Sequence, residues 1–370
     1  MSTIAVNAIT DANAGNTTSI NGVTPNANNV VGKNIIINGA MQIAQRGTSS
    51  NTTGYTTVDR FSSFAAQTDE LAVTLEQSTD APDGFSNSFK WTTTTAETTI
   101  NSDEHAGFQT RLEGQSVQQL AHGTSSAKKV TLSFWVKSSV TGTFAISIFK
   151  SDSFRIIGST YAINSANSWE KKTITIDGDT SGAIPNDNSN EFQINWLLAA
   201  GSALDSTDNT SWGAYTTGNW AYGQAQDSVL TTTNATWQIT GVQLEVGESA
   251  TEFEHRPYGT ELSLCQRYYF RTASIASYPT VAIGYLNTST QANFSFQFPV
   301  EMRASPSSSY SGCRIRYQGG SGTISGIAST FASSSHAELG ITTSSIPTGY
   351  PVGLQINGNA TNFVAFSAEL

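Results

Sequence analysis

TWQITGVQLEVGESATEFEHR, residues 236–256, changes the phase of its apolar face part-way along. Trp237 and Ile239 share one parity, whereas Val242, Leu244 and Val246 share the other. In a strand, whose side chains alternate with a period of two, such a shift needs an extra residue or a sharp twist, and a glycine is where a bulge costs least. One long buried strand with a bulge at Thr240-Gly241 is therefore predicted. Gly247 ends it, Phe253 returns to the apolar layer, and a unit boundary falls near Pro257.

Upstream, the pattern is that of strands able to pack against this one. Leu71, Val73 and Leu75 alternate, as do Phe89 and Trp91, then Val130, Leu132, Phe134 and Val136, then Phe144, Ile146 and Ile148. Ile174 and Ile176 follow, and then Phe192, Ile194, Trp196 and Leu198. Turn clusters such as Thr141-Gly142 and Asp177-Gly178-Asp179 separate them. Seven or more half-buried strands at this spacing indicate an all-β fold, a β-sandwich of jelly-roll type. The run Asn34-Ile35-Ile36-Ile37-Asn38-Gly39-Ala40-Met41 reads as a further strand, buried on both faces. Downstream, Glu261 to Arg267 suggests one or two helical turns feeding a strand at Tyr268-Tyr269-Phe270. Beyond it, Val281, Ile283 and Tyr285 alternate, then Phe294, Phe296 and Phe298, which gives a smaller C-terminal β unit. The organisation expected is an N-terminal segment over 1–33, the sandwich over 34–257 and the smaller β unit over 258–370.

Composition supports a folded chain. Of its 370 residues 38% are hydrophobic, 10% are aromatic and only 12% are charged, and the apolar residues recur in strand-length clusters. A net charge of -10 argues against a nucleic-acid groove, because phosphate binding needs clustered Lys and Arg. The only doublets, Lys128-Lys129 and Lys171-Lys172, flank strands and solvate edges. Two cysteines, Cys265 and Cys313, make no disulfide framework and no zinc spacing, so free thiols are expected. No apolar run approaches the roughly 18 residues of a membrane span, and the start lacks a signal-peptide pattern. Residues Met1 to Lys33, with Ile4, Val6, Ile9, Ile20 and Val23 scattered among polar residues, cannot bury enough surface to fold alone. Those five side chains are expected to serve assembly.

In combination, NIIINGAMQIAQRGTS, YTTVDRF, VTLSFWVKSS, WQITGVQLEVGESATEFEHRPYGTELSLCQRYYF and FPVEMRASPS resemble a family of tailed-phage structural proteins described as tail fibre or tail-fibre-like. The resemblance covers roughly Asn34 to Ser307, and the order of its motifs is specific. TIAVNAITDANAGNTTSINGV further resembles the attachment segments of marine-phage fibres. The resemblance implies a virion component made in the host cytoplasm, a carbohydrate-binding-module-like jelly roll and a homotrimer. It carries no catalytic set.

The residues themselves point to binding rather than chemistry. There is no GxSxG, and His105, His122, His255 and His336 are scattered. His255, between Glu254 and Arg256, reads as a packing or ion-pair residue. Asp103-Glu104 and Asp205 with Asp208 are carboxylate pairs by type only, as glycoside hydrolysis would require. Asp177, Asp179, Ser181 and Gly182 imitate the start of a calcium loop, but Asn188 stands where the bidentate Glu belongs. A hairpin turn is the preferred reading, and no metal or cofactor is expected. The loop Leu204 to Val229 interleaves Trp212, Tyr215, Trp220 and Tyr222 with Gly, Asn and Thr. Flat aromatic faces beside amides and carboxylates, here Asp205 and Asp208, suit sugar stacking and hydroxyl recognition. The same rings could instead cap the sandwich or fill a subunit interface. Glu245 and Arg256 are expected to pair or to sit near a subunit interface.

The function expected is a non-enzymatic virion protein. It would be a trimeric tail fibre or fibre-like appendage that docks to other virion proteins through its N-terminus and contacts host-surface glycan. A head decoration or tail adaptor is the alternative, and a capsule depolymerase is a third reading.

Overall fold

A computed structural model describes residues 32–273, 278–359 and 361–370. The five assembly candidates, Ile4, Val6, Ile9, Ile20 and Val23, lie outside them. Among the described residues the chain forms twenty-one strands and two short α-helices.

Twelve strands build a sandwich of two six-stranded antiparallel sheets. The first sheet runs β1 (Ser49–Ser50), β3 (Ala72–Ser78), β4 (Ser88–Thr95), β12 (Thr236–Val246), β6 (Val130–Ser138) and β9 (Glu170–Ile176). The second runs β11 (Gly213–Ala214), β8 (Arg155–Ile163), β7 (Gly142–Lys150), β10 (Asn190–Ala200), β5 (His105–Glu113) and β2 (Phe61–Ala66). Most connections cross from one sheet to the other, the habit of a jelly roll. Alternation then sends every second side chain inward. Trp91, Trp196 and Trp237 meet in the interior, fully buried, with Phe89 stacked on Phe108 at 4.1 Å. Each ring so buried stabilises by about 1.5–3 kcal/mol. The Trp237 indole N–H donates to the Tyr161 hydroxyl at 3.2 Å, so this ring keeps its polar partner inside the core.

The bulge falls where the phase shift places it. Thr240 pairs with Trp135 and Gln243 with Ser133, so Gly241 and Val242 together oppose Phe134. Gly241 has φ +62°, a conformation in which a side chain would be strained.

Two expectations need correcting. The run from Asn34 to Met41 is no strand: it bends along the free side of β12, with its burial alternating rather than complete. The Ile35 N–H donates to the Leu244 carbonyl, the Val242 N–H to the Gly39 carbonyl, and the Leu244 N–H to the Asn34 side chain at 3.1 Å. β4 pairs with β12 only from Thr236 to Ile239, and this segment satisfies backbone groups beyond that point. Nor do Glu245 and Arg256 pair. Glu245 is buried and accepts from Gln243 Nε2 and from Thr251, both N–H and hydroxyl. Arg256 donates to the carbonyls of Ile36 and Asn34 and approaches Glu261 at 3.4 Å. The loop after Gly247 folds back over Glu245, while Arg256 is drawn to the irregular segment.

Past Pro257, helix α2 (Tyr258–Gln266) leads into β13 (Tyr269–Ala273), which joins β21 (Phe363–Ser367) and β16 (Ser307–Ser311) in a three-stranded sheet. The remaining strands close a barrel in the order β14 (Thr280–Thr288), β15 (Gln291–Gln297), β19 (His336–Thr343), β18 (Gly320–Ala332), β17 (Cys313–Tyr317) and β20 (Val352–Ile356). Phe294, Phe296, Leu339, Ile341 and Leu354 fill it. Cys265 is buried and Cys313 half-buried, and both are free thiols. No helix among the described residues is long and apolar enough to cross a membrane.

Candidate functional site

The aromatic loop after β10 folds back over the outer face of the second sheet. Leu204 and Ala221 pack there on Ala145, Leu197 and Ala200, forming a small apolar layer outside the main core. The loop closes with its own polar groups. Asp205 accepts the Gly223 N–H at 2.6 Å, and Asp208 accepts both the N–H and the hydroxyl of Thr210 at 2.8 Å. Both carboxylates therefore hold turns.

The four sequence-predicted rings separate into three environments. Tyr215 and Trp220 meet edge-on at 5.9 Å, and both contact Phe149, which also touches Phe154. Phe154 is 63% exposed, so this quartet presents an aromatic shelf to solvent. The shelf's other two members were missed in the sequence. Phe149 was legible, since it sits on the opposite parity from Phe144, Ile146 and Ile148.

Trp212 is held elsewhere. Its indole N–H donates to the Asp177 carbonyl at 2.6 Å, its ring meets His122 edge-on, and the Lys150 ammonium lies 5.1 Å from its centre. Lys150 is fully buried and donates to Asp179 at 2.6 Å and to the carbonyls of Ser181 and Gly182. Arg155 grips the same Asp179 with Nε and Nη2 at 2.7 and 3.0 Å. The calcium-like stretch is thus a turn built round Asp179 with two cations on it, while Asp177 faces Lys129 at 3.3 Å. Burial, and then the Lys150 charge, push the His122 pKa down to about 4, leaving a neutral imidazole in this cluster.

Tyr222 lines a third place, a cavity of about 310 Å³ at the sandwich edge where β8 faces β9. Ser159 and Thr160 come from β8, Thr175 and Asp177 from β9 and its turn, and Asn209 and Thr210 from the loop. Asn209 is 3% exposed; its Nδ2 donates to the Asn219 carbonyl at 2.7 Å, yet its Oδ1 has no hydrogen-bond partner among the described residues. Gly158 makes this approach possible, because a Cβ there would fall 2.3 Å from that oxygen. A tyrosine ring, several hydroxyl-bearing residues and the Asn209 side chain line one half-open recess.

The other sequence candidates do not join it. Asp103 is exposed beside Glu104, which is buried and accepts the Asn101 N–H and side-chain amide. Glu104 lies instead with Asp69 and Glu97, their nearest oxygens within 4.8 Å of one another, a carboxylate group able to hold a divalent cation. Glu97 already accepts N–H groups of Asp69, Glu70 and Leu71. His255 packs between Phe85 and Phe253.

No protein-family model matches the chain, and no curated protein sequence matches it. Among solved structures it is similar to the enzymatically active domain of tailspike protein 4 from bacteriophage CBA120, with a TM-score of 0.32 and 13% identity over 58% of this chain and 22% of that one. A protein of Bacteroides thetaiotaomicron described as a putative sugar binding protein gives a TM-score of 0.33 and 12% identity over 58% of this chain and all of that one. A family 11 carbohydrate-binding module from Clostridium thermocellum gives 0.28 and 12% over 55% and 98%. At these values the likeness lends no weight to any particular activity.

Proposed function

We propose that this chain is a non-enzymatic virion component of a tailed phage, a trimeric tail fibre or fibre-like appendage that contacts host-surface glycan and joins other virion proteins through its N-terminal segment. The observation that carries the binding part is the cavity between β8 and β9, lined by the Tyr222 ring together with Ser159, Thr160, Thr175, Thr210 and Asp177. Sugar hydroxyls exchange hydrogen bonds with such hydroxyl and carboxylate groups, and the C–H face of a pyranose lies on such a ring. The virion part rests on the ordered motifs of the sequence. Three copies, repeated over several fibres, convert weak contacts into firm attachment through effective concentration.

The second reading, a purely structural adaptor or head decoration, is favoured by one specific arrangement: Trp212, Asp205 and Asp208 are all engaged in holding the loop itself. A glycan array probed with the full chain separates the two. Binding that Tyr222→Ala weakens, with an unchanged sedimentation coefficient, supports the glycan reading. Absence of binding supports the adaptor, and release of reducing ends from host polysaccharide would replace both with a depolymerase.

A further inference from the structure

The bulge of β12 opens a hollow on the outer face of the first sheet, across the sandwich from the aromatic loop. Gly241 carries no side chain there; a Cβ would stand 2.7 Å from Phe85 and 3.0 Å from Trp135. The hollow measures about 260 Å³ and is lined by those two rings, by Phe253 and His255, and by Asp83 and Lys171 among other polar residues. Phe85 and Phe253 meet edge-on at 5.0 Å, and Phe253 and His255 at 4.9 Å, so the rings form a continuous angled wall. Beyond Phe253 and His255 a second hollow of about 710 Å³ reaches Thr260 and Leu264 on α2. The two share that wall.

Anchoring the linker after Gly247 accounts for the ring contacts. It does not account for the remaining openness: Phe85, Trp135 and Phe253 are each only half-buried, and exposed Asp83 and Lys171 sit at the mouth. Half-exposed rings set at angles with hydrogen-bonding groups at the rim suit a pyranose, whose C–H face stacks while its hydroxyls reach the polar edge. Charge narrows the class. Across the two hollows Asp83, Glu252 and Glu254 balance Lys33, Lys171 and Arg256, which leaves no cationic excess to hold uronate or sialate units on a chain of net charge -10.

We infer that this double hollow is a second carbohydrate subsite, taking uncharged pyranose units of a polysaccharide strand that passes over the Phe253–His255 wall. It shares with the proposed function the choice of sugar as ligand, but none of its residues. Each chain then offers sugar contacts on both faces of its sandwich, and a trimer doubles its number of contacts.

Saturation-transfer NMR and titration calorimetry on the full chain test it, with tetrasaccharides of glucose, xylose and N-acetylglucosamine as neutral probes and polygalacturonate as the charged one. At least one neutral probe binds, polygalacturonate does not, and Trp135→Ala weakens the neutral binding by about tenfold or more, as loss of a stacking ring would. Asp83→Asn and Lys171→Met, both at exposed positions, weaken it without altering the melting temperature, which guards against misfolding in Trp135→Ala. Tyr222→Ala leaves this component in place. Binding untouched by the Asp83, Lys171 and Trp135 variants overturns the inference, as does failure of every neutral probe or a preference for polygalacturonate. Complete loss of binding in Tyr222→Ala alone would likewise overturn it, while supporting the cavity between β8 and β9.

Discussion

Arg267 donates from Nε and Nη2 to the two carboxylate oxygens of Glu113, 2.8 Å in each case. Glu113 ends a sandwich strand and Arg267 follows α2, so this fork ties the C-terminal unit to the sandwich. The Tyr268 hydroxyl donates to the same carboxylate. Burial works to raise the Glu113 pKa, but the bonds from Arg267 and Tyr268 outweigh it and hold the carboxyl below its ordinary value.

Removing one member of this pair leaves a buried charge alone, which costs about 3–5 kcal/mol. Arg267→Ala is therefore expected to lower the melting temperature and to let the two units melt separately in calorimetry. The pH dependence has a definite sign. A carboxyl depressed in the folded state stabilises above its unfolded pKa, and that stabilisation is lost as pH falls through the folded value. The wild type should thus lose more stability than Glu113→Gln on acidification below the ordinary glutamate range; denaturant titrations across pH 3–6 would measure it.

Glu191 behaves oppositely. It is 1% exposed, and burial, followed by the Asp152 and Asp187 charges, raises its pKa to about 7 against the one hydrogen bond it accepts, from the Asp152 N–H. A raised carboxyl stabilises below its unfolded pKa, and the benefit drains away as pH climbs through about 7. Glu191→Gln is expected to be more stable than wild type at pH 8, by an amount on the order of 1–3 kcal/mol, and nearly equal to it at pH 4. Melting curves at the two pH values that run parallel would contradict this.

The phase shift in the sequence specified the bulge because period-two alternation reports directly on which face is buried, and Gly241 marked where the extra residue sits. Substituting it tests that reading. Gly241→Ala combines an unfavourable φ of +62° with a Cβ pressed against Phe85 and Trp135, and should cost about 1–3 kcal/mol. Gly326→Ala, where nothing lies within 4 Å, serves as the near-neutral control. Equal unfolding midpoints for the two would refute the argument.

Other features were not legible, for physical reasons. The run of three isoleucines after Asn34 has strand propensity, but its pairing is set by Asn34 acting as a stand-in for backbone, which no propensity encodes. The barrel was unreadable because closure depends on register shifts within β14 and β18, such as that between Ile324 and Gly326. The aromatic loop was legible in composition and not in arrangement, since contacts with Phe149, Asp177 and Asn209 divide its rings. The motifs that carried the family resemblance had a hidden common reason. Asn38, Gln45, Arg46, Asp59, Arg60, Glu261, Arg267 and Tyr268 converge on the junction between the two units. They specify how the parts join rather than what they bind.

The turn at Asp179 gives a prediction with an optical readout. Lys150 is fully buried, and burial pulls its pKa down while Asp179 holds it up. Asp179→Asn removes the only carboxylate within ion-pair distance of Lys150 and Arg155 among the described residues. A loss of about 3–5 kcal/mol is expected, with a shift in tryptophan emission as Trp212 loses its seat. Trp212→Phe in the same background should abolish that shift.

The last prediction concerns Glu369, whose carboxylate receives Arg60 and, at 3.1 Å, Arg46. Arg60 is buried, lies 3.3 Å above the Tyr268 ring and donates to the Arg111 carbonyl at 2.7 Å, while Arg46 lies 3.6 Å above Tyr269. One carboxylate therefore meets two guanidiniums that are packed on consecutive tyrosines, and Arg46 also faces Asp59 at 3.6 Å. Glu369→Ala leaves the buried Arg60 without its carboxylate while Arg46 keeps Asp59, and about 3–5 kcal/mol should be lost. Arg46→Met, made alone, removes the less buried cation and leaves the Arg60 pair intact, so its cost should be the smaller. The double variant should lose less than the sum of the two, because the residues share one network. A strictly additive double-mutant cycle, measured by urea unfolding, would show that Arg46 and Glu369 are not coupled.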